Sequence, residues 1–384
     1  MNHINTVFYH LLRFIPKHRF DDAVTRHQGD YRVRHLNCWS QFIAMLYAQF
    51  SGCQSLRHLE STFNSHSNHH YHLGVRGIRR STLADANKKR PLGLYRELFF
   101  SLLGLAQTKI AKEAHQVIRL IDSTTIDLNK QHFSWAHFRS HKAGIKLHFI
   151  YDPEQEVPTF FSMTPAKVND RKAANTLPII TNATYVFDRA YNDYGWYYEQ
   201  MHLKGNRFVG RMKVNAQYAV IVDQPVQDNI LQDQTIRLSS EKGKKCPISL
   251  RRIRFIRLED EKEIVLISND LTNPAEEIMA LYKQRWQIEL FFKWIKQNLK
   301  IKRFLGTSEH AVHLQILIAM IAYLLLKLVN NSLGTLQVSM QQLNRLICAN
   351  LFQRKSVIDL IASTQQKRKP LKSKQFVQSE LQFA

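Results

Sequence analysis

The chain changes texture once, at His115, and that change limits its architecture more than any other feature. Up to residue 112 the apolar residues recur at helical spacing, as in WSQFIAMLYAQF (39–50), which stops at Ser51-Gly52, and again over 94–105. From 115 short β-rich runs take over: HQVIRLIDSTTIDL, IKLHFIYD and VPTFFSMTP. A polar helical stretch (169–180), the strand TYVFD, a helical stretch (194–203) and the strand RFVGRMK follow. The order β-β-β-α-β-α-β predicts an α/β fold with a mixed sheet covered by helices. Residues 213 to about 270 are β-rich again (YAVIV, TIRLS, ISLRRIRFIRL, EIVLISN). Their phase and length predict an all-β insertion, not more of the same sheet. A long helix starts at Asn273-Pro274 and runs through Lys300, and an apolar helix covers 311–329. The predicted organisation is a helical N-terminal domain over 1–112, a mixed α/β unit over 113–330 and a basic helical tail over 331–384.

Charge narrows the partner. The chain has 54 Lys+Arg against 31 Asp+Glu, a net of +23, which points to a polyanion and most simply to nucleic acid. Residues 1–112 hold 16 Lys+Arg against 6 Asp+Glu, a net of +10. Within them a short helix at 75–90 has Ser81 or Thr82 as its cap, with capping-box spacing to Asp85. A basic helical module of this kind suits DNA binding; the alternative is a solvated face on a support domain. The tail from 341 has 8 basic and 2 acidic residues and includes the run KRKP (367–370), read as a solvated end.

Several classes drop out. The longest apolar run, 316–326, is too short for a membrane span and reads as a core helix. The N-terminus has neither the charged region nor the cleavage site of a signal peptide. Cys38, Cys53, Cys246 and Cys348 lie far apart and form no CxxC, which fits free thiols in a reducing cytoplasm. No phosphate-cradling glycine loop, dinucleotide fingerprint or hydrolase triad occurs.

Three acids carry the chemistry. Asp122 in LIDSTT and Asp188 in YVFDRAY are each predicted at a strand end, where sites in α/β folds gather. In LYKQRWQIELFFKWIKQNLK (281–300), Tyr282, Arg285, Glu289 and Lys296 share one helical stripe roughly 60° wide, with Lys293 and Lys300 near it. Apolar residues flank that stripe on both sides, Trp286, Leu290 and Trp294 on one of them. One acid among cations at a packed edge suits metal-assisted phosphoryl transfer. Two Mg²⁺ ions need hard oxygen ligands, and Asp122, Asp188 and Glu289 make a suitable trio if one bridges both ions. Arg285 and Lys296 would hold DNA phosphates, and Tyr282 would hydrogen-bond a phosphate oxygen. The rival is a salt-bridged core helix with Glu289 paired to Arg285 or Lys293. FRSHKAGIKLH places Arg139, Lys142, Lys146 and His148 on one basic strand face, for DNA or for solvent. Arg189 pairs with a carboxylate or a phosphate, both open. His66, His69, His70 and His72 read as a solvated loop.

The spaced set Tyr282-x₂-Arg285-x₃-Glu289-x₆-Lys296 resembles the Tyr-Arg-Glu-Lys signature of DDE transposases of the insertion-sequence 4 family. DST at Asp122 and DRAYND at Asp188 resemble the surroundings of that family's first two acids, and the likeness spans roughly 115–330. It implies a ribonuclease-H-like catalytic domain with its insertion between the second Asp and the Glu. It also implies that Asp122, Asp188 and Glu289 are metal ligands, and that Tyr282, Arg285 and Lys296 contact transposon-end DNA. The implied activity is cut-and-paste transposition, with cleavage at the terminal inverted repeats and attack of the freed 3′-hydroxyl on target DNA. Two Mg²⁺ ions (Mn²⁺ as substitute), double-stranded DNA, a homodimer on that DNA and a bacterial cytoplasm at the nucleoid go with it, and no membrane. The rivals are a metal-dependent endonuclease that cannot join and a catalytically decayed DNA-binding copy. Some members stack a flipped base on a Trp of the insertion. Here none of the five Trp residues lies in 213–270, and Tyr218 and Phe255 are the aromatic alternatives.

Overall fold

In a computed structural model the described residues are 5–107, 117–139 and 142–366; the 112/113 boundary and the KRKP run lie outside them. Seven helices open the chain: α1 (Val7–Leu12), α2 (Lys17–Arg26), α3 (Cys38–Ser51), α4 (Leu56–Asn64), α5 (Ser67–Leu73), α6 (Arg80–Lys89) and α7 (Leu92–Gln107). Asn37 caps α3 through its side chain, and Gly52 ends it at φ +75°, a left-handed conformation that glycine adopts without strain. The expected capping box at Thr82 is not used. Helix α6 starts at Arg80, and the Glu60 carboxylate accepts the Arg80 N–H at 3.1 Å, so the cap comes from α4.

The strands are β1 (Val117–Leu128), β2 (His137–Arg139), β3 (Lys142–Asp152), β4 (Val157–Pro165), β5 (Ala183–Phe187) and β6 (Arg207–Arg211). Between them stand α8 (Asp170–Ala174) and α9 (Tyr194–Trp196), the latter continued by a π-helical turn to His202. The predicted helix 169–180 therefore closes after five residues. Strands β7 (Tyr218–Gln224), β8 (Ile230–Leu238), β9 (Leu250–Arg257) and β10 (Lys262–Ser268) follow. Then come α10 (Ala275–Gln284), α11 (Trp286–Asn298), α12 (Glu309–Ser332), α13 (Met340–Asn350) and α14 (Val357–Gln366).

All ten strands join one sheet, ordered β2-β3-β1-β5-β6-β10-β9-β8-β7, with β4 on β3. β1 runs antiparallel to β3 and parallel to β5, and β5 runs parallel to β6. This corrects the reading of 213–270 as a separate β unit. β10 pairs antiparallel with β6 through Leu266↔Arg211, Ile267↔Gly210 and Ser268↔Val209, which covers an otherwise bare edge. Ile236, Leu238, Leu250 and Ile267 continue the apolar layer begun by Tyr185, Phe187 and Phe208, so the core is continuous as well.

The sheet's other face carries the helices apart from α8 and α9, which pack on the first. Leu120, Ile126 and Phe149 of the sheet share a core with Phe42, Leu98, Ile288, Phe291 and Leu317. At its centre α12 packs on α3, α6, α7 and α13, so helices from both ends of the chain form one layer. The expectation of a core helix holds for α12. It is long and apolar enough to cross a membrane, yet its most apolar stretch is 94% buried inside the protein.

Candidate active site

Asp122 is not at a strand end. It sits inside β1, which runs six residues further because β3 pairs with it as far as Leu128↔Ala143. What ends near Asp122 is its other neighbour: the parallel ladder with β5 closes at Ile121↔Phe187. Asp122 and Asp188 thus each follow the last parallel pair of two neighbouring strands. On the far side of β5, Gly210 of β6 faces Phe187, where a Cβ would come within 2.6 Å of the ring. Asp122 Oδ1 accepts the Ser123 N–H at 2.7 Å, and Asp188 Oδ1 accepts the Ala190 N–H at 2.8 Å.

The third acid arrives on a helix with a break. The predicted single helix 273–300 divides at Arg285. There the Arg285 N–H donates to Tyr282 O at 3.1 Å and the Ile288 N–H to Arg285 O at 3.2 Å, a three-residue tightening of the turn. Beyond the break α11 is pinned to the sheet by rings: Phe291 lies 5.3 Å from Phe149 and 5.0 Å from Tyr151, and Phe292 lies 5.5 Å from Phe149. That seat holds Glu289 over β1. The tightened turn aims the Arg285 fork at both neighbours: Nη1 donates to Asp122 Oδ2 at 3.1 Å and Nη2 to Glu289 Oε1 at 2.6 Å. The helix thus shows the Glu289–Arg285 pair of the rival reading, and the same guanidinium also reaches Asp122.

The charges do not balance. Burial first, then the facing Asp188, pushes the Asp122 carboxyl up to about 7. Burial also raises Asp188, against the Ala190 N–H and Arg285, which favour its charge. As arranged, no three His, Cys, Asp or Glu side chains among the described residues come close enough together to hold a metal ion. The physical reason is visible: the Arg285 guanidinium stands between two of the acids. The donor set nonetheless fits a hard divalent cation. It offers carboxylate oxygens, partly desolvated, with too little positive charge to neutralise them.

The remaining sequence candidates divide. Tyr282 is buried, 5.7 Å from Arg285 across its ring face. Lys293 is exposed, and Lys296 is half-buried with burial lowering its ammonium and Asp127 opposing that shift. Lys142 is exposed. Lys146 is no free cation: its Nζ donates to Asp170 Oδ2 at 3.2 Å and to Val168 O at 3.1 Å. His148 is fully buried and held neutral, its ring pushed down to about 4. The side chain of Arg139 lies outside the described residues. Arg189 Nε is buried with no partner among them. His69, His70 and His72 lie in α5, directly after His66, and not in a solvated loop: His70 stacks on Phe63 at 4.5 Å, and His66 and His69 stack on Phe352. Phe255 is buried, and Tyr218 is half-buried beside Arg252.

Two features escaped the sequence reading. Asp170 opens α8 and accepts the Ser123 hydroxyl at 2.6 Å, beside the centre; an Asp at a helix start carries no signal beyond capping. Trp286, read as a packed flank, is 59% exposed next to Arg285, with Leu290 49% exposed one turn on. The break at Arg285 turns that flank outward.

Residues 113–325 match the family described as transposase DDE domain, and residues 3–76 match one described as a domain of unknown function (DUF4372). A transposase of Sinorhizobium fredii (strain NGR234), y4zB, is 39% identical over 281 residues, covering 72% of this chain and 78% of its own. A Geobacillus stearothermophilus transposase for insertion sequence element IS5377 is 29% identical, covering 66% and 68%. A piggyBac transposase synaptic complex with hairpin DNA aligns at a TM-score of 0.48 and 10% identity, covering 97% of this chain and 83% of that one.

Proposed function

The chain belongs to the family of transposase DDE domains, enzymes of insertion sequences that cleave DNA and transfer its strands, and from that premise we propose that Asp122, Asp188 and Glu289 are its catalytic metal ligands. The observation that carries the reading is the Arg285 fork, which ties Asp122 to Glu289 beside Asp188 although the three lie far apart in the chain. The strand order β4-β3-β1-β5-β6 supports a ribonuclease-H-like catalytic core over 113–330, with β7–β10 as its insertion. Residues 1–112 and the basic tail, 331–384, extend the DNA-binding surface.

Family members depend on divalent metal. When bound, a pair of Mg²⁺ ions, or Mn²⁺ in their place, would make the attacking oxygen more nucleophilic and neutralise charge on the leaving one. The chain's own residues do the rest. Arg285 pairs with both Asp122 and Glu289 while no DNA is present. A phosphate of the bound transposon end offers the guanidinium a second forked partner, and Arg285 turns to it. The two carboxylates are then freed as the DNA arrives, so cation binding and end binding favour each other. Lys296, Lys293 and Lys142 hold backbone phosphates, and Tyr282 supports Arg285 through its ring. Lys146, already committed to Asp170, leaves that set. Both ends of the element must be cut together, which calls for a homodimer on DNA.

Asp188→Asn tests this. With a duplex carrying the element's own ends and Mg²⁺, cleavage should fall by about three orders of magnitude, the several kcal/mol a metal site supplies. End binding should stay within about twofold, since it rests on phosphate contacts. Unchanged cleavage overturns the ligand assignment. Pre-cut ends joined to target DNA by the wild-type chain exclude a nuclease that only cuts.

A further inference from the structure

The acidic centre has a second side. Along β1 alternate side chains point to opposite faces of the sheet, so Asp122 faces α11 and Ser123 faces the layer holding α8 and Tyr191. Ser123 is gripped from both directions. Its backbone N–H donates to Asp122 Oδ1 at 2.7 Å, and its hydroxyl donates to Asp170 Oδ1 at 2.6 Å. Asp170 is in turn fixed by β3. Lys146 Nζ reaches its Oδ2 at 3.2 Å, and His148 Nδ1 lies 3.5 Å from its Oδ1, while His148 Nε2 meets Thr164 Oγ1 at 2.8 Å. The Asp170 side chain is 18% exposed, and Tyr191, 1% exposed, closes the layer beside it. A carboxylate with this many partners is held in one orientation.

We propose that Asp170 is a positioning residue for the first catalytic acid: from behind the sheet it locks Ser123, and Ser123 aims the Asp122 carboxylate. Oδ1 of Asp122 is thereby held by the Ser123 N–H, which leaves Oδ2 turned toward Arg285 and Glu289. The lock acts through the Ser123 hydroxyl, which bonds Asp170. The proposal rests on Asp122 being a metal ligand. It assigns to a fourth acid the task of keeping that ligand ready.

The test is Mn²⁺ binding to the full chain, read from the electron paramagnetic resonance of free Mn²⁺, with cleavage measured against Mn²⁺ concentration in parallel. Asp170→Asn and Ser123→Ala should each weaken Mn²⁺ binding about tenfold, the range of lost outer-shell partners. The double variant should be no weaker than Asp170→Asn alone, because both remove one lock. Ser123→Thr, which keeps the hydroxyl, should bind Mn²⁺ as the wild type does. Cleavage by Asp170→Asn should recover to within about twofold at saturating Mn²⁺, with its KM for end DNA unchanged. Wild-type Mn²⁺ affinity in Asp170→Asn, or additive losses in the double variant, overturns the proposal. If Asp170→Asn fails to fold, Ser123→Ala and Ser123→Thr decide it. Asp188→Asn serves as the control: if that variant also binds Mn²⁺ normally, the metal-ligand reading itself has failed, and not the role of Asp170 alone.

Discussion

The insertion and the acidic centre handle the same residue types in opposite ways. In β7–β10 the principal carboxylates have arginines of their own. Asp233 takes a forked pair of bonds from Arg251 at 2.8 and 2.6 Å, Glu263 from Arg254 at 2.7 Å twice, and Asp260 from Arg257 at 2.7 and 2.6 Å. Those partners hold Glu263 and Asp260 below the usual carboxylate range. At the centre one guanidinium serves Asp122 and Glu289, Asp188 has the Ala190 N–H, and both aspartates are pushed up. A folded chain can neutralise its acids locally, as the insertion does. Where it does not, the missing positive charge is left for something that arrives with the substrate.

The largest test lies in the balanced region. Arg251 and Asp233 are 10% and 4% exposed, and Arg251 also donates to Asn273 O at the start of the segment leading to α10. Arg251→Ala leaves Asp233 buried and unpaired, and stability to urea should fall by about 3–5 kcal/mol. It also loosens the approach to Glu289, so cleavage should weaken before the chain unfolds. A loss below about 1 kcal/mol would erase the contrast between a pair that holds the fold and a site that strains it.

The centre should show the reverse sign with pH. The Asp122 carboxyl sits near 7 when folded and near 3.8 when unfolded, so between those values the folded state holds more protons. Stability of the metal-free chain should therefore fall as pH rises from about 4 through 7, by an amount on the order of a few kcal/mol. His148, held neutral by burial, works in the opposite direction as pH falls below its unfolded value. Comparison with Asp122→Asn, which keeps His148, isolates the aspartate. Urea midpoints in chelator at pH 5 and 8 supply the measurement, and equal pH dependence in both chains would show that Asp122 is not strained.

These contrasts also mark what could be read before folding. Spacing within one helix found Glu289 and Arg285, because i,i+4 neighbours meet on any helix. The β runs pointed to Asp122 and Asp188, since each acid follows an apolar run that forms a strand. Pairing was not legible. β1 runs on beyond Asp122 because β3 covers it, and β10 joins β6 because that edge was open. Both facts depend on contacts between segments far apart in sequence. The break at Arg285 was hidden too, for a three-residue turn leaves no mark in a periodicity built on 3.6. It exposes Trp286 and brings Arg285 onto two acids. Asp170 could not be singled out for the same reason: it opens α8, and its meaning comes from Ser123 on β1 and Lys146 on β3.

Two smaller effects complete the comparison, each removing one arginine. At the centre, Arg285→Gln takes away the cation that stands between Asp122 and Glu289. Mn²⁺ should then bind the DNA-free chain about tenfold more tightly, roughly 1.4 kcal/mol, while end DNA adds little further tightening. Calorimetric titration with and without end DNA checks this, and weaker Mn²⁺ binding would mean that Arg285 shapes the site without guarding it. At the insertion's surface, Arg254→Ala breaks a forked pair whose members are 36% and 44% exposed. Solvent already screens both charges, and the urea midpoint should not move measurably. The two substitutions delete the same side chain from similar forked contacts. If they nevertheless differ as expected, burial and imbalance, and not the number of hydrogen bonds, separate a site from a surface. If Arg254→Ala proves as costly as Arg251→Ala, the insertion edge is more deeply coupled to the sheet than its exposure implies.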